Sequence, residues 1–282
     1  MQIKRKFSLN ILLILLVTIL VACSNDTDNK DEEVANDTVS SDVEVDDGDE
    51  DEESDEKYSD DETETDRNND DQSEMMEVFN ELATQSKETD ILDVTEELTV
   101  GENGDVMPGI YDMEIIEGRG NIFGERDTYE SFYINYKGQM ESDKRVFHSK
   151  IRLVLFEGDT LMMEQIDKVK FHPVPEKVEL TNEFIEGEYI VGRDILPGEY
   201  KLTTNADLDP DNRQTGWELY VYGHINDERS SAFLEPNSED VVISLKEGEV
   251  ISLNYNVGME VVLGEKELKL PIDDIKLIFE EM

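Results

Sequence analysis

The feature that most constrains the fold is an internal duplication. A Pro-Gly pair at Pro108-Gly109 recurs 89 residues later at Pro197-Gly198, and each pair follows a Val-Gly pair and an aspartate and precedes a tyrosine. A Glu-Gly pair at Glu157-Gly158 recurs 90 residues later at Glu247-Gly248. Two independent anchors at nearly equal offsets indicate a repeated unit rather than chance. We call the predicted repeats copy 1 and copy 2.

Each copy has the pattern of short strands joined by turns. Apolar and polar residues alternate in Tyr111–Ile115 and in Val241–Leu245, which is the period of a half-buried strand. We predict a mainly β fold: two tandem small antiparallel β-sandwich or barrel modules, over residues 94–178 and 179–282, after a disordered acidic linker. The tail from Pro271 to Met282 fits either a last strand or a helical turn.

A repeated turn lies near the start of each copy. It comprises Asp105, Pro108, Gly109, Asp194, Pro197 and Gly198. Pro-Gly suits the centre of a type II turn, because Pro fixes the second position and Gly takes the positive φ of the third. The two aspartates are expected to hydrogen-bond the backbone of the turn, and the alternative is a shared ligand contact. The two Glu-Gly pairs are expected to close hairpins.

The turn of copy 2 lies in the segment Tyr189–Tyr200, which has the form Y-x-V-G-x-D-I-x-P-G-x-Y. This segment resembles a repeat of uncharacterised Gram-positive surface lipoproteins and cell-wall proteins. Copy 2 matches that repeat well, and copy 1, with two extra residues within Glu102-Asn103-Gly104, matches it loosely. The resemblance covers residues 94–270 and implies an extracytoplasmic β domain without an assigned activity.

The first 22 residues have the layout of a bacterial lipoprotein signal peptide. Three basic residues precede an apolar run from Ile11 to Val21 that is too short to span a bilayer stably. The run ends in Leu20-Val21-Ala22-Cys23, which resembles the lipobox and implies cleavage between Ala22 and Cys23 and acylation of the Cys23 sulfur. Cys23 is the only cysteine, so an internal disulfide is excluded. The alternatives are a secretory signal with an incidental cysteine and an uncleaved anchor.

Acylation would make the lipid bilayer the first partner of the chain. Each buried acyl methylene contributes about 0.8 kcal/mol, so two or more chains hold a protein stably. We therefore expect the protein to lie at the extracytoplasmic face of the cell membrane, anchored through Cys23.

Net charge limits the other partners. The chain carries −46, of which −22 belongs to residues 24–74 and −27 to residues 75–282. Binding to nucleic acid needs clustered basic side chains, so nucleic acid is excluded as a partner. The charge favours a neutral, cationic or metal-bridged ligand of the envelope or extracellular space.

Residues 23–74 are predicted to form a disordered tether. Acidic and small polar residues dominate them, and their apolar area is too small to offset the entropy of ordering. We expect a spacer between membrane and domain, and the alternative is a segment that attracts cations or a basic partner. Apolar residues at three- and four-residue spacings from Met75 to Ala83 then predict a short amphipathic helix over residues 75–93. This helix is expected to pack on the β domain, and the alternative is a Met-rich partner-binding helix.

One loop has the ligand spacing of a calcium site. Asp207, Asp209, Asp211 and Glu218 occupy positions 1, 3, 5 and 12 of a twelve-residue segment, as in an EF-hand. Glycine is missing at position 6, no helices flank the loop, and Glu218 falls in a predicted strand. The alternative is a hairpin loop rich in Asp and Asn. No cofactor other than this Ca²⁺ is predicted.

Two aromatic segments indicate a second kind of site. We expect Phe132–Tyr136 of copy 1 to correspond to Trp217–Tyr222 of copy 2. Exposed aromatic rings in them would form a carbohydrate or peptide platform, but their spacing along strands requires some rings to face the core. The six side chains concerned are Phe132, Tyr133, Tyr136, Trp217, Tyr220 and Tyr222.

No catalytic motif stands out. His148, His172 and His224 lack metal-ligand spacing, and neither a nucleophile elbow nor a Gly-rich phosphate loop occurs. We expect a non-enzymatic surface lipoprotein whose β modules form a binding or interaction domain. The alternatives are an envelope structural or cation-buffering protein with an acidic stalk, and a hydrolase with a carboxylate pair that the sequence does not single out.

Overall fold

The secondary structure is mainly β, as predicted. The computed structural model describes residues 63–95, 97–126, 133–142, 146–211, 214–223 and 230–282, with side chains from residue 74 onward. The expected signal peptide, the lipidated Cys23 and the expected tether as far as residue 62 lie outside the described residues.

The described residues form one long helix, fourteen strands and two short helical turns. In chain order they are α1 (Thr63–Gln85), β1 (Leu92–Asp93), β2 (Leu98–Thr99), β3 (Gly109–Glu125), β4 (Ile134–Gln139), β5 (Lys150–Leu155), β6 (Thr160–Pro173), β7 (Glu183–Phe184), β8 (Gly187–Ile190), β9 (Gly198–Thr204), β10 (Thr215–Tyr222), β11 (Ser230–Leu234), β12 (Val241–Leu245), β13 (Val250–Val257), α2 (Met259–Val262), a 3₁₀ helix (Ile272–Asp274) and β14 (Leu277–Glu281). The tail therefore contains both a helical turn and a last strand. Neither α1 nor α2 combines the length and apolar character needed to cross a membrane.

The predicted amphipathic helix is present as α1, with different ends. It begins at Thr63, within the predicted tether, and ends at Gln85, short of residue 93. Ser86 follows the last residue of the helix. The Ser86 hydroxyl donates a hydrogen bond to the Leu82 carbonyl at 2.8 Å and accepts one from the Ile110 N–H at 2.9 Å. The helix therefore stops where its next residue is bonded to β3.

Ten strands form one sheet and four form a second. The first has the order β1-β6-β3-β5-β8-β13-β10-β11, with β2 on β6 and β4 on β3, and the second has the order β12-β9-β14-β7. Among the described strands every pairing is antiparallel except β5–β8, which is parallel with Arg152 opposite Gly187. Because β5 belongs to copy 1 and β8 to copy 2, the first sheet runs through both copies.

Both copies hold the repeated turn in the same way. The Asp105 carboxylate accepts a hydrogen bond from the Thr99 N–H at 2.9 Å, and the Asp194 carboxylate accepts one from the Ile190 N–H at 2.8 Å. Thr99 and Ile190 occupy the same place in the repeat, immediately before Val-Gly. The aspartates therefore have the backbone-bonding role expected of them.

The expected type II turns do not form. Gly109 and Gly198 are the first residues of β3 and β9, and neither has a positive φ. A Cβ on Gly109 would lie only 2.4 Å from the Ser86 hydroxyl, so this glycine serves the close approach of the segment after α1. In the Glu-Gly pairs, by contrast, Gly158 and Gly248 have positive φ values of 90° and 82°.

The Glu-Gly turns do not close hairpins either. The turn in copy 1 connects β5 to β6, which lie on opposite sides of β3, and the turn in copy 2 connects β12 to β13, which lie in different sheets. Each glycine turn therefore carries the chain across a neighbouring strand or between sheets.

Copy 2 has the same strand arrangement as copy 1, except that the counterparts of two long strands are each interrupted. In copy 1, β3 and β6 pair along their length, with bulges. In copy 2, β9 and β10 take the place of β3, and β13 and β14 take the place of β6. The register supports this, because Gly109 faces Leu155 in copy 1 as Gly198 faces Leu245 in copy 2. We call the interruptions, residues 205–214 and 258–276, the first and second insertions.

This topology corrects the expected match between the aromatic segments. β4 pairs with the second half of β3 just as β11 pairs with β10. Tyr133 and Tyr136 therefore lie at and within the counterpart of β11, whereas Trp217–Tyr222 corresponds to the second half of β3. The expected match was wrong because the first insertion displaces β10 along the chain, which brings Trp217–Tyr222 to about the repeat offset from Phe132–Tyr136.

The cores of the two copies lie on opposite faces of the shared sheet. Leu153 of β5 packs in the core of copy 1, whereas Tyr189 of β8 packs in the core of copy 2. The guanidinium of Arg152 lies over the Tyr189 ring at 5.2 Å, and adjacent residues of a strand point to opposite faces. Tyr189 is therefore on the face opposite Leu153. A third apolar cluster packs α1 against both copies, with Phe79 and Ile190 fully buried in it.

A buried charge network also joins the copies. The Arg126 guanidinium donates to Asp159 at 3.2 Å, to Glu188 at 3.1 Å and to the Val154 carbonyl at 2.7 Å. Glu188, from copy 2, accepts the Val154 N–H at 2.7 Å. Burial raises the pKa of Glu188, although Arg126 opposes the shift. The bonds to Arg126 and Val154 fix β8 against β5.

Candidate functional site

Alternation along β10 and β13 creates a polar face on copy 2. Trp217 and Leu219 pack in the core, so Glu218 and Tyr220 point to the other side of the sheet. The same reasoning and the strand register place Ser252, Asn254 and Asn256 of β13 and Phe233 of β11 on that side.

The register arranges these side chains in rows across the strands. Phe233 lies opposite Glu218, and Glu218 lies opposite Asn254. In the neighbouring row, Tyr220 lies opposite Ser252. Directly opposed residues have Cβ atoms about 5 Å apart, so each row is continuous.

Copy 1 supplies the facing wall. Two adjoining cavities of about 360 and 350 Å³ lie here, and both are lined by Lys137 of β4 and by Glu218, Tyr255 and Asn256 of copy 2. We call the two together the junction groove. Its other principal lining residues are Tyr133, Asn135, Phe147, Glu186, Tyr220, Phe233, Glu235, Asn254 and Met259.

The floor of the groove ties the two copies together. The Tyr136 hydroxyl, from β4, is 2.7 Å from the Ser252 hydroxyl of β13. Burial raises the pKa of Tyr136 well above its ordinary value, and the nearby Glu188 carboxylate adds to the shift. The phenol therefore stays neutral and able to hydrogen-bond at physiological pH.

Some polar side chains of the groove are hydrogen-bonded to other groove residues, and others are not. The Asn256 amide donates to Glu218 at 2.8 Å, which orients the carboxylate. The half-buried Asn254 side chain makes no hydrogen bond to any other described residue. An amide can donate and accept at once, so Asn254 offers both functions to a ligand.

Aromatic rings border the groove on both sides. Tyr133 of copy 1 is 55% exposed, and Phe233 of copy 2 is 45% exposed. Phe233 meets the ring of Tyr220 edge-on, with centroids 6.2 Å apart and planes at 88°. Of the predicted platform residues, Tyr133 is therefore exposed, and Tyr220 lies against an exposed ring.

The remaining predicted platform residues are placed differently. Trp217, Tyr136 and Tyr222 are buried, and Phe132 lies outside the described residues. Sequence reasoning missed Phe233, Asn254 and Asn256. The signal for the two asparagines was the alternation in Ser252–Val257, where polar residues occupy every second position of a strand.

The predicted calcium ligands do not converge. Asp207 pairs with Lys269 and Asp209 with Lys266, so these two carboxylates of the first insertion bind lysines of the second. The bond from Lys266 lowers the pKa of Asp209. Asp211 is exposed in the loop, while Glu218 belongs to the junction groove. No described group of three or more His, Cys, Asp or Glu side chains is arranged to hold a metal ion.

The described histidines lie apart from one another. His148 is buried, with Nδ1 3.2 Å from a Glu186 oxygen, and Glu186 lines the groove. His172 bonds to Glu114 through Nε2 at 2.7 Å. His224 lies outside the described residues.

No family model matches the chain, and no curated protein or solved structure shows significant similarity to it.

Proposed function

We propose that this chain is an extracytoplasmic, lipid-anchored binding protein without catalytic activity, and that the junction groove is its ligand site. The observation that carries the proposal is the groove itself, in which the Asn254 amide, unbonded among the described residues, and exposed rings are held on a sheet face between two fused copies. Small-molecule sites are concave and combine apolar walls with a few polar groups.

Pre-organisation of the groove supports a binding role. The shared sheet, the Arg126 network and the Tyr136–Ser252 hydrogen bond connect its two walls. A site fixed before the ligand arrives avoids much of the entropy cost of ordering side chains and loops. The groove therefore suits recognition of a ligand by two copies that act as one body.

The anchor part of the proposal rests on the lipobox-like segment that ends at Cys23. The acidic segment between Cys23 and the β body would then act as a spacer. Residues 24–62, which precede α1, number 39, and a flexible chain of that length would span roughly 35 Å, which self-repulsion of the carboxylates would lengthen. The spacer would hold the groove clear of the membrane surface.

Replacing the proposed lipid attachment site tests the anchor. With Cys23→Ala, the sulfur that carries the acyl chain is lost, so the protein should move from the membrane fraction to the soluble or secreted fraction. Fractionation with an antibody against the chain measures this, and radiolabelled palmitate should enter the wild type alone. Unchanged membrane retention of the variant would refute the anchor.

Groove variants test the site. The purified full chain should bind isolated cell envelope saturably, and Asn254→Ala and Phe233→Ala should each weaken that binding about tenfold or more. Matched controls away from the groove are Asn103→Ala and Met162→Ala, which should change it less than about twofold. Equal binding by groove and control variants would refute the site, and release of cleaved envelope material would refute a purely binding role.

A further inference from the structure

We infer that the junction groove recognises a neutral oligosaccharide of the cell envelope or its surroundings. This inference rests on the proposed function, because it names the ligand class of the same groove. Four observations carry it: the exposed rings, the asparagine amides, the paired backbone of β10 and the charge of the lining.

The rings supply the apolar part of sugar recognition. A pyranose ring has a face of C–H groups that packs against an aromatic ring, and such packing buries large apolar area. Tyr133 and Phe233 expose 55% and 45% of their surface on the two sides of the groove. The edge-on contact with Tyr220 supports the Phe233 ring. A ligand with alternating apolar faces and polar edges fits this frame.

The amides supply the polar part. Asn135, Asn254 and Asn256 line the groove together with the oriented Glu218 carboxylate. Sugar hydroxyls both donate and accept, as do asparagine amides, whereas a carboxylate accepts only. Alternate residues of β13 place Asn254 and Asn256 about 7 Å apart, which suits a ligand with hydroxyls along its length.

The groove floor disfavours an extended peptide. Peptides commonly add to a sheet by pairing with an exposed strand edge. The floor strand β10 pairs with β13 on one side, over Thr215–Tyr222, and with β11 on the other, over Trp217–Val221, so its backbone groups are taken up in the ladders. A ligand over β10 therefore meets side chains rather than free backbone.

Charge disfavours an anionic polymer. Among the described lining residues, Glu186, Glu218 and Glu235 are acidic and only Lys137 is basic. Residues 75–282 carry −27 overall, so an anionic ligand would be repelled at long range as well. Hydroxyl groups satisfy the carboxylates by donation without bringing charge.

The test is a titration of the purified full chain with a panel of neutral hexasaccharides, namely β-1,4-linked glucose, β-1,4-linked N-acetylglucosamine and α-1,4-linked glucose. Binding is measured by calorimetry and by the fluorescence of Trp217, the single tryptophan, which lines the groove. At least one hexasaccharide should bind saturably and more tightly than its disaccharide. Its affinity should change less than about twofold between about 50 mM and 500 mM salt, because no charge pair forms.

Variants assign the binding to the groove. Asn254→Ala and Phe233→Ala should each raise the dissociation constant about tenfold or more, while Asn103→Ala and Met162→Ala should leave it within about twofold. Thermal unfolding followed by circular dichroism checks that each variant is folded. For any variant that fails to fold, Asn254→Asp replaces it, because an acceptor-only group of the same shape should also weaken binding.

The outcomes separate this inference from the proposed function. If groove variants lose envelope binding while no neutral hexasaccharide binds or competes at about 10 mM, the groove is a site for another class of ligand and the inference is wrong. Salt-sensitive binding of a charged polymer or peptide in the groove also overturns it. If groove variants keep envelope binding, the proposed function itself fails.

Discussion

The roles of several residues cannot be inferred from their residue type alone. Gly216, at one end of the groove, has φ of 154°, and a Cβ there would lie 2.4 Å from the Leu234 carbonyl. Asp207 and Asp209, whose spacing suggests calcium ligands, instead neutralise lysines. In each case the neighbour that decides the role is distant in sequence. A residue type therefore limits the chemistry, and its contacts select one use.

Tyr255 provides a test at this scale through pH. Burial, with a smaller contribution from the Asp207 carboxylate, raises the pKa of Tyr255 to about 12. An unfolded tyrosine ionises near pH 10, so between about pH 10 and 12 the unfolded state releases this proton first. Stability from Tyr255 is therefore full below about pH 10 and is lost as pH rises towards 12.

Tyr255→Phe removes this titration. Urea unfolding should give the wild type and the variant similar stability at about pH 9, and the wild type should lose up to roughly 3 kcal/mol more than the variant by about pH 12. The other buried tyrosines remain in both proteins and serve as the internal reference. A parallel decline of the two proteins would contradict the assignment.

Among the elements, α1 shows most clearly how local pattern and tertiary contact combine. Its apolar residues at three- and four-residue spacings define one face, and that face is buried against strands of both copies. Phe79 is fully buried, with its ring centroid 6.4 Å from that of Phe156. The helix therefore acts as a brace across the junction of the copies.

Phe79→Ala tests the brace. Loss of the buried ring should lower the free energy of unfolding by about 4 kcal/mol, since it removes apolar burial and leaves a cavity. Asn80→Ala, an exposed substitution on the next residue of the same helix, should change it by less than about 0.5 kcal/mol. Urea denaturation followed by far-ultraviolet circular dichroism measures both. Equal effects would mean that α1 does not brace the domain.

For the whole molecule, the central fact is the continuity of the ten-stranded sheet through both copies. The β5–β8 pairing, the Arg126 network and the cluster under α1 all cross the boundary between the copies. Such extensive buried contact makes it costly for one copy to unfold while the other persists. We expect the two copies to unfold in a single transition.

Trp217 makes this expectation measurable, because the single tryptophan lies in the core of copy 2. Leu153→Ala, in the core of copy 1, should lower the stability reported by Trp217 fluorescence by about 3 kcal/mol, as much as that reported by circular dichroism. Met162→Ala, at an exposed site of copy 1, should leave both unchanged. A Trp217 transition that ignores Leu153→Ala would show that the copies unfold independently.

The sequence by itself determined the strand-rich class, the duplication and the amphipathic helix. These features follow from local periodicity and from a repeated pattern, which need no knowledge of distant contacts. The backbone role of Asp105 and Asp194 was predicted for the same reason, since a short acidic side chain before a turn bonds nearby N–H groups. The acylation of Cys23 stays a prediction from sequence.

Only the tertiary structure decided how the repeats use their strands and which side chains share a site. Two insertions divide the copy 2 counterparts of β3 and β6 into separate strands, and this division changes the spacing between corresponding aromatic segments. Tyr133 and Asn254 are 121 positions apart, yet they line one groove because β4 of copy 1 lies across the polar face of β13. Local patterns fix the face on which a side chain lies, but packing between distant strands decides what that face meets.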